Sequence, residues 1–411
     1  MEVCVDKDKI NKRRVVVTGI GIHTSIGKNK KEVIEAIKLG NCGKKEVPIS
    51  RFDTSNDAYI NKGAHLLDED IFTKLQDIDE SVVTELSIQV IKEAIEDSEL
   101  RYEEIQGYNC GISLAISTGT SFSFIKWLNK KIDGKLTNKD LSLVLRSTPS
   151  IVGDIASKYS IQGPSNIIST ACASGTISIG TAYEKVANGE TKYMIAGGVD
   201  LITILSFSGF NSLQNVSPDL CSPFDVNRKG LVLGEGAGFV ILESYESAIK
   251  RGANIYAEVS GYSYLNEAYH PTSPHPEGDY ALYCMQKALS NANKKADQIS
   301  YINAHGTSTN INDLMEYKAI KKLVGDHTVY VSSTKSLTGH TLGAAGSIEF
   351  IITALGIKYE FIPPTINTKE PIFEESNIKF PKKVVEKSID VAISNSFGFG
   401  GNIASIILTN I

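Results

Sequence analysis

Ser169-Thr170-Ala171-Cys172-Ala173-Ser174-Gly175 follows an apolar, β-branched run and leads into small, helix-compatible residues. That change of pattern predicts strand, tight turn and helix, with the sulfur at the helix N-terminus. Unpaired backbone N–H groups and the positive end of the helix dipole favour a thiolate there, so the thiol is expected to be more acidic than a free cysteine. Cys172 reads as a nucleophile. A lone intracellular cysteine is more commonly a small buried hydrophobe, and the rest of the chain decides between the two readings.

Three further stretches decide it: Asn303-Ala304-His305-Gly306-Thr307-Ser308-Thr309, then Ser332-Ser333-Thr334-Lys335-Ser336-Leu337-Thr338-Gly339-His340, then Asn395-Ser396-Phe397-Gly398-Phe399-Gly400-Gly401. Each follows an apolar strand pattern (Ile299 to Asn303, Val329 to Ser332, Val391 to Ile393) and breaks into small and polar turn residues. Reactive groups at strand ends of an α/β protein converge on one sheet edge, which predicts two imidazoles and a lysine facing the thiol.

Strand and helix patterns alternate along the chain. Val15 to Thr18 is strand-like, Lys31 to Leu39 is a helix with Val33, Ile34 and Ile37 on one face and a stop at Gly40, and Ser81 to Glu96 is a longer amphipathic helix. The helix after Cys172 carries Ile177, Ile179, Ala182 and Val186 among many Ser, Gly, Thr and Ala residues. Small side chains permit close backbone approach, so this helix is expected at the centre of a layered fold. Thr18-Gly19-Ile20-Gly21-Ile22-His23-Thr24 imitates a dinucleotide loop, but Thr24 replaces the third glycine; a tight strand-to-helix turn is the expected reason for Gly19 and Gly21.

At 411 residues and 42% hydrophobic, the chain can bury one large core or two fused halves. A formal net charge of −5 gives no electrostatic reason for a nucleic-acid or membrane role. The stretch Met1 to Lys9 is charged and lacks a signal peptide's apolar segment, and no apolar run approaches the roughly 18 residues of a membrane span, so a cytoplasmic protein is expected. Cys4, Cys42, Cys110, Cys172, Cys221 and Cys284 are widely spaced, without C-x-x-C or zinc-like grouping; reduced thiols, no metal and no cofactor are expected.

Together these motifs, with Ser222-Pro223-Phe224-Asp225, Gly234-Glu235-Gly236-Ala237-Gly238 and Pro363-Pro364-Thr365-Ile366-Asn367, resemble a β-ketoacyl-acyl-carrier-protein synthase of the type II kind, from about Val15 to Leu408. The resemblance implies an α/β thiolase-like fold of five layers, αβαβα, in two similar halves, residues 13–260 with the nucleophile and 261–411 with the His, Lys and gate-loop motifs. It implies a decarboxylative Claisen condensation in which Cys172 takes an acyl group from a thioester and malonyl thioester then supplies the carbanion. By resemblance, the backbone N–H groups of Cys172 and Phe399 receive the oxyanion, and His305 and His340 stabilise the enolate as neutral donors. Lys335 has an electrostatic role with Glu316 as its hydrogen-bonding carboxylate, Glu349 stands behind the site as a structural residue, and Gly398, Phe399 and Gly400 form a gate.

The resemblance further assigns Thr272, Ser273, Thr307 and Thr309 to a pantetheine tunnel and makes acyl carrier protein the partner, in a homodimer or in a heterodimer with a homologous chain-length subunit. His23, His65, His275 and His327 lie outside every motif, and His270, beside the tunnel stretch, is assigned no chemistry. Cys172 argues against a non-catalytic chain-length subunit, which lacks the nucleophile. Three stretches depart from the usual pattern: Gly400-Gly401-Asn402-Ile403, Asn310-Ile311-Asn312-Asp313 and Ile116-Ser117-Thr118-Gly119-Thr120-Ser121. They leave fatty-acid elongation and type II polyketide extension both open.

Overall fold

The computed structural model describes residues 12–69, 82–141, 147–373 and 375–411; Met1 to Lys9 and the expected helix start at Ser81 lie outside them. Among the described residues, eleven strands form the main sheet: β1 (Val15–Thr24), β2 (Cys110–Ala115), β3 (Ser165–Ile168), β4 (Tyr193–Asp200), β5 (Gly236–Ser244), β6 (Ala257–Asn266), β7 (Tyr301–Asn303), β8 (Val329–Ser332), β9 (Ile378–Lys379), β10 (Val391–Gly398) and β11 (Asn402–Thr409). The helices are α1 (Lys30–Leu39), α2 (Val82–Asp97), α3 (Ser121–Ile132), α4 (Thr148–Tyr159), α5 (Ser174–Ala187), α6 (Ile204–Ser212), α7 (Tyr245–Arg251), α8 (Asp279–Asn291), α9 (Asn310–Val324), α10 (Lys335–Thr338) and α11 (Ala345–Lys358).

The sheet runs β9-β8-β7-β10-β11-β6-β1-β5-β4-β2-β3. It is two copies of one pattern joined where β1 meets β6 antiparallel. In the first copy β1, β5 and β4 are antiparallel neighbours, followed by β2 and β3 in parallel. In the second, β6, β11 and β10 repeat the antiparallel arrangement and β7 and β8 the parallel one, with β9 added outside. A division after residue 260, as the sequence reading proposes, falls inside β6.

Apolar periodicity places the layers. In the amphipathic helix α2, Val82, Val83, Leu86, Val90, Ile91, Ala94 and Ile95 are all buried and, with α4, pack against β2, β4 and β5, while α2 also lies on β1. On the far side α8 and α9 cover β7, β8 and β10. Between the two five-stranded repeats of the sheet lie α5 and α11, the latter buried from Ala345 to Ile357. The five layers αβαβα are thus present. The small residues of α5 permit the central packing: a Cβ on Gly175 would lie 2.4 Å from the backbone nitrogen of Ser347 in α11.

The expected turn at Gly19 and Gly21 is corrected. Both glycines are inside β1, which continues to Thr24. A Cβ on Gly19 would stand 2.2 Å from the carbonyl oxygen of Ala94, and one on Gly21 1.9 Å from that of Val90. They are there because α2 lies directly on the strand. At α1 the expected stop holds, Gly40 ending the helix at φ +68°, and the structure adds Asn29 as the cap of its start at Lys30, one residue earlier than read.

Candidate active site

Cys172 follows β3 by way of Ala171, a non-glycine residue at φ +50°. The strained turn is tied locally: Ser174 Oγ accepts the N–H of Thr170 at 2.8 Å and donates to the carbonyl of Ala171 at 2.6 Å. Gly398 approaches so closely that a Cβ there would lie 2.9 Å from the Thr170 carbonyl and 3.1 Å from the Cys172 nitrogen. Such an approach from β10 requires glycine.

The expected acidity of this thiol is corrected. Cys172 is buried, and α5 begins two residues later at Ser174. Burial pushes the thiol up to about 11; the positive charge of Lys335 and the backbone N–H groups of Phe399 and Cys172, which face the sulfur, pull it down only in part. Loss of hydration outweighs the donors at the turn.

His305 follows β7, and His340 follows α10, the short helix at the end of β8. Their rings meet edge to face with centroids 5.5 Å apart, and Phe397 packs 5.4 Å from His305. His340 Nδ1 accepts the backbone N–H of Leu342 at 3.2 Å, and His305 Nδ1 lies 3.3 Å from the Lys335 ammonium. With each Nδ1 acting as acceptor, the proton is assigned to Nε2. Burial and the Lys335 charge hold both imidazoles well below their usual range, so both are neutral near pH 7.

Lys335 is fully buried and donates to the His305 carbonyl at 2.6 Å. Its carboxylate partner is Glu349, on α11. The expected pairing with Glu316 is therefore corrected: Glu316 accepts the backbone N–H groups of His305 and Gly306, both at 2.8 Å, and holds the turn rather than the lysine. Burial raises both carboxyls to about 7, opposed at Glu316 by those N–H groups and at Glu349 by Lys335. The resemblance assigns the lysine to Glu316, whereas Glu349 reaches Lys335 from the central helix.

A cavity of about 390 Å³ joins these groups; Cys172, His305, His340, Gly398 and Phe399 line it together with Thr272, Ser273, Thr307 and Thr309. Lys335, Glu316 and Glu349 stand behind that lining. Gly400 lies beside it at φ +80°, with its N–H bonded to the Pro271 carbonyl at 2.7 Å. His270 accepts the N–H groups of Thr272 and Ser273 through Nδ1, at 3.1 and 3.2 Å, and so shapes the tunnel segment. Phe210 of α6, which sequence reasoning missed, stacks on Phe399 with centroids 5.6 Å apart. No short-range signal marks Phe210, since its neighbour Phe399 is 189 positions away in the chain.

A buried cysteine facing two neutral imidazoles, in a duplicated five-layer αβαβα fold, defines a thiolase-fold condensing enzyme. The β-ketoacyl synthase N-terminal domain profile matches residues 12–248, and the C-terminal domain profile residues 256–369. The chain belongs to the β-ketoacyl synthase family. It is 37% identical to 3-oxoacyl-[acyl-carrier-protein] synthase 2 of Coxiella burnetii, covering 98% of this chain and 100% of that one, and 38% identical to the Synechocystis protein of the same name, covering 96% and 97%. Among solved structures, the ishigamide ketosynthase/chain length factor superposes with a TM-score of 0.90 at 30% identity, covering 97% of this chain and 100% of that one. A type II PKS acyl-carrier protein complex with its ketosynthase bound to the hexaketide gives 0.89 at 29%, with the same coverage. No helix among the described residues is long and apolar enough to cross a membrane.

Proposed function

We propose that Cys172 and the paired imidazoles divide a β-ketoacyl-acyl-carrier-protein synthase reaction between them. Cys172 attacks the thioester of an acyl carrier protein, forming acyl-Cys172 and releasing the carrier thiol. The N–H groups of Cys172 and Phe399 receive the oxyanion. Because the resting thiol is protonated, acylation proceeds through a small thiolate fraction. Malonyl carrier protein then enters, its C–CO₂ bond breaks, and the electron pair passes into an enolate whose oxygen accepts from Nε2–H of His305 and His340. The enolate carbon attacks acyl-Cys172, the β-ketoacyl carrier leaves, and the sulfur regains its proton.

Lys335 holds His305 in its Nε2–H form, Glu349 balances the lysine charge, and Glu316 fixes the His305 turn. Phe399, between Gly398 and Gly400, closes the cavity; Thr272, Ser273, Thr307 and Thr309 receive the pantetheine arm, where short hydroxyls bond amides without filling the channel. The observation carrying the reading is the pair of neutral imidazoles facing the cavity opposite Cys172.

The relatives named 3-oxoacyl-[acyl-carrier-protein] synthase 2, at 37–38% identity, support a carrier-dependent synthase; a self-paired enzyme of fatty-acid chain extension in the cytoplasm is the form of it proposed here. The outer edge of β3 and the exposed Phe124, Leu128 and Ile132 of α3 offer a surface for the second subunit. The purified chain, alone with malonyl and saturated acyl carriers, is expected to be a homodimer that turns over. Dependence on a homologous subunit lacking the nucleophile would replace this with the type II polyketide reading.

A further inference from the structure

Asp200 ends β4 fully buried, and no step above uses it. It accepts hydrogen bonds from the backbone N–H of Ser117 at 2.8 Å, that of Thr118 at 3.0 Å and that of Gly343 at 2.7 Å. The hydroxyls of both Ser117 and Thr118 also donate to it. Burial raises this carboxyl above its usual range, opposed by the Ser117 and Thr118 donors; three of the five donors are fixed backbone groups, a set that suits the carboxylate form.

Gly343 is wedged between the two halves: a Cβ on it would lie 2.7 Å from both Asp200 Oδ2 and the Ser117 nitrogen. Its neighbour Leu342 sits at φ +52°, a conformation that costs an ordinary residue about 1–2 kcal/mol and persists only where surroundings impose it. The N–H of that strained Leu342 is the donor to His340 Nδ1. One buried anion thus anchors the turn that selects the His340 tautomer.

We propose that Asp200 is a positioning residue for His340: by holding Gly343 it sets Leu342 N–H against Nδ1, keeps the Nε2 proton directed into the cavity, and links that imidazole to the Ser117–Thr118 turn. This rests on the enolate-stabilising role proposed for His340. The Ile116 to Ser121 stretch, a departure from the family pattern, thereby acts on decarboxylation from the opposite half of the molecule. Asp200 also disfavours the thiolate of Cys172 electrostatically, so its neutralisation is not expected to slow acylation.

The test is a double-mutant cycle on the full chain, reading CO₂ release from malonyl carrier protein and acylation of Cys172 separately. Asp200→Asn should lower CO₂ release by roughly 10- to 100-fold, the usual effect of losing a group that orients a reactive one. Acylation should be unchanged or faster. In the His340→Ala background, Asp200→Asn should change CO₂ release by less than about twofold, since the residue it acts through is gone. Equal losses in both backgrounds, or in both half-reactions, overturn the proposal. Wild-type CO₂ release from His340→Ala alone would instead overturn the underlying role of His340 and the proposal with it. If Asp200→Asn does not fold, Thr118→Val, which removes one hydroxyl donor at constant shape, is put through the same cycle. It should show a smaller loss of CO₂ release that likewise vanishes without His340, and a loss that persists overturns the proposal.

Discussion

The two halves repeat one strand order but equip their strand ends differently. β3 and β8 occupy equivalent places, and each leads to a central helix: β3 through Cys172 to α5, β8 through Lys335 and His340 to α11. β2 ends at the Ser117–Thr118 turn where β7 ends at His305, and β4 ends in Asp200 where β10 runs out through Gly398 to Phe399. One half therefore supplies a nucleophile beside a hydrogen-bonded anchor. The other supplies neutral donors and a gate. Covalent chemistry and carbanion chemistry make opposite demands, a displaceable proton on one side and fixed protons on the other, and a duplicated scaffold lets each be built without disturbing its counterpart.

The comparison breaks first at Cys172. Cys172→Ala should lower condensation to background while keeping the fold, because only a small buried volume is removed. Peptide mass spectrometry after incubation with acyl carrier protein should find the acyl group on Cys172 alone. The peptide must be resolved because Cys42 is exposed while Cys110, Cys221 and Cys284 are buried. Acyl label on the Ala variant would remove the nucleophile from the first half.

Next comes the pH response of that side. With the thiol near 11, alkylation of Cys172 by iodoacetamide should climb about tenfold per pH unit between pH 7 and 9. A plateau below pH 8 would restore the acidic thiol that the sequence predicts. His305 and His340 themselves should cause no loss of CO₂ release as pH falls toward 6.5, because they take up protons only well below that value; a loss in that range reports Glu316 and Glu349, whose carboxyls lie at about 7.

The third contrast lies within the second half. Glu349→Gln leaves the Lys335 ammonium buried without its carboxylate, and breaking such a pair costs about 3–5 kcal/mol. Glu316→Gln weakens acceptance from two backbone N–H groups, a loss of about 1–3 kcal/mol. Chemical denaturation of the two variants should therefore rank Glu349→Gln as the less stable. The reverse order would favour the pairing of Lys335 with Glu316.

What was legible in the sequence was what depends on short-range pattern. The inner face of α2, the Gly40 stop of α1 and the strand over Val329 to Ser332 follow from periodicity and caps. The Cys, His, Lys, His and Gly-Phe-Gly turns announce themselves by composition. Hidden were the effects set by residues distant in the chain. Gly19 and Gly21 resemble turn glycines until α2 is seen lying on β1; Glu349 reads only as a structural residue behind the site until α11 is seen to bring it to Lys335. Asp200 closes a strand without any motif, and its partners come from 82, 83 and 143 positions away. The acidity of Cys172 was misjudged for a related reason: the sequence marks a helix start but not the depth of the cavity around it.

The central claim is the division of labour across the cavity, and the separated half-reactions of His305→Ala and His340→Ala test it most directly. Each variant is predicted to release CO₂ from malonyl carrier protein roughly 10²–10³ times more slowly, the usual effect of losing one oxyanion donor, while Cys172 is still acylated. Failure of both variants at acylation, with CO₂ release at the wild-type rate, would contradict the account.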